Sequence, residues 1–263
     1  MFIFAKEADN VSFSGRYMNH FNINFEPDKN KVMSSIDGRC RESGHPAYLC
    51  VADGNILAMV HNNPEYRAIV NGSMLSIVDS SWVPVFMKWI YGLKWEQYCG
   101  SQIFSDITGM KKYRMYFLGS SQTVLDSLRA NLEAIEPSIS SMTFSELPFC
   151  SADEFDYEKI ASSINNDDPD IIWLSLGAPK QEVFASRLVP YLKRGVVIPV
   201  GAVFNFQSGL GIKRAPQWMV RCHLEFAYRI VSEPRKQIPR CWNILKTFPK
   251  ILLSEKKVSL LCR

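Results

Sequence analysis

The sequence predicts an α/β protein with a Rossmann-like parallel sheet and crossover helices, followed by a basic, mainly helical C-terminal appendage. Three observations carry that expectation. Short apolar runs end on glycine and give way to amphipathic stretches at Gly119 and Gly177, and a further run ends at Gly201; this is the rhythm of parallel strands joined by crossover helices. Over 263 residues, 47% apolar and 21% charged composition is ordinary for a folded soluble chain that buries a sizeable core. Charge is segregated. Residues 213–263 hold 12 Lys/Arg against 3 Asp/Glu, a net of +9, and the rest of the chain has a net of −5.

Taken in order, residues 48–51 and 76–78 read as early strands, with residues 55–59 and 64–69 on a helix between them. The most apolar long window, residues 75–93, contains Asp79, Pro84 and Lys88, which favours a core helix over a membrane span. Residues 113–118 (YRMYFL) form the next strand. Residues 122–135 then place Val124, Leu125, Leu128, Leu132 and Ile135 on one helical face, closed by Pro137. Residues 171–176 are a strand, residues 180–193 a helix with Val183, Phe184, Leu188, Tyr191 and Leu192 on one face, and residues 196–200 a further strand. The character changes near residue 212. Residues 216–230 read as a helix in which Arg221, Glu225 and Arg229 form an i, i+4, i+8 ladder. Pro234 and Pro239 interrupt the segment after it, and residues 241–253 form a second basic, amphipathic piece. The expected organisation is a body of residues 1–212 and an appendage of residues 213–263.

Several classes are disfavoured. Seven cysteines without a C-x-x-C pair argue against a disulfide framework or a zinc site and for a reducing compartment. The apolar start MFIFAKEADN is too short for a signal peptide. Neither G-x-G-x-x-G opening a helix nor G-x-x-x-x-G-K-[ST] occurs, so the common dinucleotide and nucleoside-triphosphate loops are missing. His20, His45, His61 and His223 show no ligand spacing, and no metal is expected.

Ligands of parallel sheets collect at the carboxyl ends of the strands. Three such ends carry polar loops: Asp79-Ser80-Ser81, the stretch GAPKQE from Gly177 to Glu182, and the glycine-rich GAVFNFQSGLG that begins at Gly201 and has Asn205 in its middle. Glycines there let backbone N–H groups approach a phosphate. The Gly-Ala-Pro break starts a helix sharply and holds Lys180 and Gln181 over the sheet edge, although a well-capped turn is an equal reading. Asp53 and Asp79 lie near strand ends, each either a cap or, for Asp79 ahead of a long apolar helix, a positioned base. The basic appendage, with Trp218, Trp242 and Phe248 among Lys and Arg, suits an anionic lipid surface or, alternatively, nucleic acid.

The order LGAPKQE, VVIPVGAVFNFQSG, KRAPQWM and LEFAYRIVSEPRK resembles the WecG/TagA/CpsF group, glycosyltransferase family 26, strongly over residues 170–240 and more weakly upstream. The resemblance implies an inverting transferase that needs no metal or other cofactor. It would move a hexose-type sugar, N-acetylmannosamine or a relative, from a UDP-sugar donor to a polyprenyl-diphosphate-linked acceptor for cell-surface polysaccharide. It implies a cytoplasmic protein, peripheral on the inner face of the cell membrane, with no nucleic-acid partner and with homo-oligomer formation left open. Asp79 would be the general base, Gln181 would contact the donor sugar, and Asn205, where the family usually has Asp, would lie at the nucleotide. Among Arg214, Arg221, Arg229, Arg235 and Arg240 would be groups that neutralise the diphosphate. The chain departs from the family pattern at Val51 (Thr expected), Asp53 (Asn), Ser80 (Gly), Gln97 (Arg) and Gln102 (Asp). These positions should surround the donor sugar and the acceptor hydroxyl, so a drifted or non-catalytic member is the alternative within the family.

Overall fold

The computed structural model describes residues 18–210, 216, 219 and 225–261. Strands β1 (Met18–His20) and β2 (Ile23–Phe25) form a hairpin around Phe21 and Asn22. Both turn residues have positive φ, 57° and 60°, as a tight two-residue hairpin turn requires. Helix α1 (Lys29–Arg41) starts at Asp28, whose carboxylate accepts the N–H groups of Asn30 and Lys31. Then come β3 (Ala47–Ala52), α2 (Gly54–Asn62), α3 (Pro64–Asn71), β4 (Leu75–Val78), α4 (Trp82–Tyr91), α5 (Gly100–Gly109), β5 (Met115–Gly119) and α6 (Gln122–Glu133). They are followed by β6 (Thr143–Ser145), α7 (Tyr157–Asp167), β7 (Ile171–Ser175), α8 (Lys180–Leu188), β8 (Val196–Pro199), α9 (Val203–Ser208), α10 (Glu225–Ser232) and α11 (Pro234–Leu261).

The strands make one eight-stranded sheet in the order β1-β2-β4-β3-β8-β7-β5-β6. Only the β1–β2 pair is antiparallel; every other neighbouring pair is parallel. The Rossmann-like sheet and helical C-terminal segment expected from the sequence are both present. Side chains alternate across the sheet with period two. Leu49 and Val51 of β3 join Phe104, Phe117, Trp173 and Phe204 in a core beneath α1, α5, α6 and α9. Cys50 and Ala52 face a second core under α2, α3 and α4, and Tyr48 joins a third beneath α7 and α8.

The two central strands, β3 and β8, are paired only at Ala47↔Val196 and Tyr48↔Val197. The alternation explains why. Val196 and Val200 donate their N–H groups to β7, at Asp170 and Leu174, so positions 197 and 199 point theirs at β3. Position 199 is proline and has no N–H to give. The hydrogen-bond ladder loses its next rung there, while the two strands stay side by side.

Several local expectations change. The apolar window of residues 75–93 is a strand and a helix, β4 and α4, because Asp79 and the serines after it end the strand. Residues 55–69 form two helices rather than one: Asn63 ends α2 and its side chain caps α3 by accepting the Tyr66 N–H. The helix expected over residues 180–193 ends at Leu188 and tightens into a 3₁₀ turn at Val189–Tyr191 around Pro190. Pro234 and Pro239 do not break the C-terminal segment. Pro234 begins α11, and Pro239 and Pro249 lie within its 28 residues. The backbone bonds those prolines forfeit are offset by packing along the body, where Ile251 is buried in the second core and Asn62 Nδ2 donates to Thr247 Oγ1 at 2.9 Å. The expected boundary near residue 212, with Arg214 and Arg221, lies outside the described residues, as do residues 217, 218 and 220–224 of the expected helix over 216–230, whose remainder from Glu225 is helical in α10.

The far half of α11 is held by Glu255. One carboxylate oxygen accepts the Phe21 N–H at 2.7 Å and the other the Tyr91 hydroxyl at 2.6 Å, with His20 Nδ1 at 3.7 Å. Burial alone would raise this carboxyl, but the contacts with His20, Tyr91 and the Phe21 N–H hold it below the usual Glu value. A depressed acid contributes stability above its unfolded value and loses it as the pH falls through the folded one. Glu255→Gln is therefore expected to destabilise the protein at pH 7 by about 1–3 kcal/mol. It should also flatten the acid limb of the thermal-unfolding midpoint against pH below about pH 4.5. A variant with wild-type stability at both pH values would show that the Glu255 clasp contributes nothing.

Candidate active site

A cleft opens at the carboxyl ends of β3, β4, β7 and β8, which is the usual ligand crevice of such sheets. Each strand delivers one group to it. After β3, Asp53 caps α2 by accepting the Ile56 N–H at 2.9 Å. After β4, Asp79 is tied three ways. Its own N–H donates to the Ala52 carbonyl, its Oδ1 accepts the Gly100 N–H at the start of α5 at 2.8 Å, and its carbonyl accepts Gln97 Nε2 at 2.6 Å. The carboxylate thus sits at a helix N-terminus, where negative charge is favoured. After β7, Gly177 turns the chain at φ +79° and Ala178–Pro179 is cis. The Gln181 amide then folds back, its Oε1 accepting the Gly177 N–H at 3.1 Å. After β8, Gly201 turns at φ +57° and its carbonyl accepts the Ser175 hydroxyl at 2.6 Å.

Helices α10 and α11 form the remaining wall through Arg229, Glu233, Gln237 and Arg240. Arg240 Nη2 donates to the Ala178 carbonyl at 3.0 Å, fastening this wall to the β7–α8 loop. The Arg229 guanidinium lies 5.5 Å from the centre of the Phe206 ring, a cation–π distance. The inner cleft is narrow, with a cavity volume of about 90 Å³. It adjoins an outer groove of about 500 Å³ lined by Trp82, Phe86, Ile244, Leu245 and Phe248. Asp53, Asp79, Arg229, Gln237 and Arg240 line both. The inner part is polar and flanked by two arginines, the outer part is mostly apolar, and Asp79 stands at the junction.

Of the residues singled out from sequence, Asp53, Asp79, Gln181, Gly201, Arg229 and Arg240 line the inner cleft, and Gln97 lines the outer groove. Gln102, Lys180, Asn205 and Arg235 line neither. Gln102 spends its Oε1 on the Cys99 N–H at the start of α5, a helix-capping arrangement. Lys180 turns away to the β6–α7 loop, donating to the Cys150 carbonyl and lying 4.7 Å from the Phe155 ring centre. Asn205 is half-buried on α9, while its neighbour Phe206 faces the cleft. Sequence reasoning passed over Glu233 and Gln237, although Arg229, Glu233, Gln237 and Arg240 follow helical spacing and so shared a readable face. It also quoted Glu182 without a role, because its partner Tyr66 is 116 residues away. Among the described residues no group of three or more His, Cys, Asp or Glu is arranged to hold a metal ion, and no helix is long and apolar enough to cross a membrane.

A sequence model of the glycosyl transferase WecG/TagA/CpsF family matches residues 18–259. The chain belongs to this family. The matched segment spans the whole sheet and reaches into α11, so the helices that wall the cleft fall inside it. Two relatives carry the name N-acetylglucosaminyldiphosphoundecaprenol N-acetyl-beta-D-mannosaminyltransferase. The protein from Bacillus spizizenii (strain W23) is 25% identical over 228 residues, covering 86% of this chain and 84% of its own length. The one from Bacillus subtilis (strain 168) is 25% identical over 196 residues, covering 73% of this chain and 72% of its own.

In this family member the turn at Gly177 is needed both for backbone conformation and for the Gln181 amide. Gly177→Ala places a Cβ at positive φ, at a cost of about 1–2 kcal/mol. Urea unfolding is expected to show a loss of that size, and an unchanged midpoint would mean that the turn adapts freely.

Proposed function

We propose that the protein is an inverting, metal-independent glycosyltransferase that moves a hexose-type sugar from a UDP-sugar to a polyprenyl-diphosphate-linked acceptor in cell-surface polysaccharide synthesis. The observation that carries this reading is the placement of Asp79, a carboxylate locked at the junction of a polar, arginine-flanked cleft and an apolar groove. The names of the two relatives supply the acceptor type and suggest N-acetylmannosamine as the sugar.

In this reading the UDP-sugar occupies the inner cleft and the acceptor's head group enters from the outer groove. Asp79 takes the acceptor hydroxyl proton as the oxygen attacks the anomeric carbon. The bond from that carbon to the diphosphate breaks on the opposite face, which inverts the centre. Arg229 and Arg240 meet the charge that develops on the leaving UDP, the service a metal ion gives in other transferases. Gln181 and Asp53 supply polar contacts to the sugar. Val51, at the cleft floor where a hydroxyl-bearing residue is usual in the family, shapes it without offering a hydrogen bond.

The reading places the protein on the cytoplasmic face of the cell membrane. Trp82 on α4 and Leu245 on α11 line the apolar groove and are exposed, and Trp89, Trp242 and Leu253 are exposed on the same two helices. Lys246 lies over Trp242 and Lys256 over Trp89. Amphipathic surfaces of this composition gain from apolar insertion and from anionic head groups.

Titration calorimetry with EDTA present is expected to show selective binding of UDP over ADP and GDP. Asp79→Asn should lower transfer by about 10²–10⁴-fold, the usual contribution of a general base, with UDP affinity nearly unchanged. Wild-type turnover in that variant would dismiss Asp79 as the base. On vesicles containing phosphatidylglycerol, the Trp89→Ser/Trp242→Ser double variant should cosediment less than the wild type while binding UDP equally well. Equal cosedimentation would rule out this face as the membrane contact.

A further inference from the structure

Beneath the cleft lies a buried acid that the proposed chemistry does not use. Glu182, the residue after Gln181 in the first turn of α8, has no exposed surface. Gln181 Nε2 donates to its Oε1 at 2.8 Å, and the Tyr66 hydroxyl, from α3, donates to its Oε2 at 3.0 Å. Among the described residues no Lys, Arg or His forms an ion pair with it. Burying a carboxylate without a cation is costly, and a neutral residue would fill the same space at less cost to the fold. The acid therefore calls for an explanation other than packing.

A glutamine amide has two ends of nearly the same shape and opposite hydrogen-bonding character. Left alone in a cleft it can present either. Here both ends are committed: Oε1 to the Gly177 N–H and Nε2 to Glu182. An ionised carboxylate only accepts hydrogen bonds, so it tolerates the nitrogen and rejects the oxygen. Tyr66, itself 3% exposed, holds the carboxylate in place from a different helix. The amide's second N–H and second lone pair are what remain for a ligand.

We propose that Glu182, anchored by Tyr66, is a positioning residue that locks the Gln181 amide in a single orientation within the cleft. The identity of the ligand so served, a UDP-sugar, rests on the function proposed above; the lock itself does not. Burial pushes the Glu182 carboxyl up to about 7, against the opposing pull of the Gln181 and Tyr66 hydrogen bonds, and the nearby Asp53 charge pushes the same way as burial. Cys50 of β3 and Tyr66 are both raised by their own burial, so neither ionises alongside it. Once protonated, the carboxyl both donates and accepts, and it no longer discriminates between the two ends of the amide. The lock is thus present above the Glu182 value and loosens below it. An acid raised by folding opposes stability as the pH rises, so Glu182 weakens the folded state under the conditions in which it orders the amide.

The test compares the wild type, Glu182→Gln and Tyr66→Phe. Side-chain amide signals in proton–nitrogen correlation spectra, with Gln181 assigned by its loss in Gln181→Leu, need no ligand. In the wild type the Gln181 signal should titrate with a midpoint near pH 7. Tyr66→Phe, which removes one donor, should move the midpoint upward, and Glu182→Gln should abolish the titration. Glu182→Gln is also expected to lower kcat for sugar transfer about tenfold or more while its thermal midpoint at about pH 8 is no lower than that of the wild type. A purely structural role would move stability down and leave the kcat-against-pH profile alone. A wild-type Gln181 signal that does not titrate, or an unaltered kcat and pH profile in Glu182→Gln, overturns the proposal. Should Glu182→Gln fail to fold, an unshifted midpoint in Tyr66→Phe overturns it instead. If the titration behaves as expected but the wild type transfers nothing from any UDP-sugar, the lock stands and the functional reading falls.

Discussion

A missing hydrogen bond shapes this molecule. Residue 199 of β8 is where the sheet should make its next rung to β3, and a proline there has no N–H to offer. In a sheet buried on both faces, such a defect would ordinarily be expensive. Here it falls at the carboxyl edge, where the strands are about to turn into helices, and it becomes the floor of the cleft. Val51 on one side and Pro199 with Val200 on the other line the cleft floor. Above them stand the loops that follow β3, β4, β7 and β8 and, opposite, the wall made by Arg229, Gln237 and Arg240.

The same edge explains how the polar groups are held. Parallel strands end with backbone groups that the sheet cannot satisfy, and the loops beyond them must supply partners. Asp79 takes the first N–H of α5, Asp53 caps α2, and Gln181 closes on the Gly177 N–H. Asp53 and Asp79 therefore also serve the N–H groups at the starts of α2 and α5, and Gln181 braces the turn that leads into its own helix. This economy makes the site rigid. It also means that removing such a side chain disturbs a helix start, so conservative, isosteric changes are the informative ones.

The sheet and its helices were legible in the sequence because their signals are local. Strand-to-glycine breaks at Gly119, Gly177 and Gly201 and the apolar faces of α6 and α8 are each contained within a few turns of chain. The three-residue strands β1, β2 and β6 carried no such signal. The sequence reads as interrupted at Pro234 and Pro239 because prolines are local breakers, whereas what sustains helix α11 is packing on α2 and α4, which no window of sequence displays. The site divides in the same way. Asp53, Asp79 and Gly201 were found because ligands gather at strand ends. Lys180 is expected there for the same reason and Gln102 through the family resemblance, but direction along a helix turn, not proximity in sequence, decides which side chain enters. Lys180 points to the Cys150 carbonyl and Gln102 to the Cys99 N–H. Glu182 was visible as a residue but acquires meaning only through Tyr66, which the fold brings from another helix.

Asp79 borders two connected compartments, one polar and one mostly apolar. For a group-transfer protein this is a statement about traffic. Under the function proposed above, two different ligands would meet across that carboxylate, one in each compartment, so the layout suits direct transfer between two bound partners better than a covalent halt on the protein.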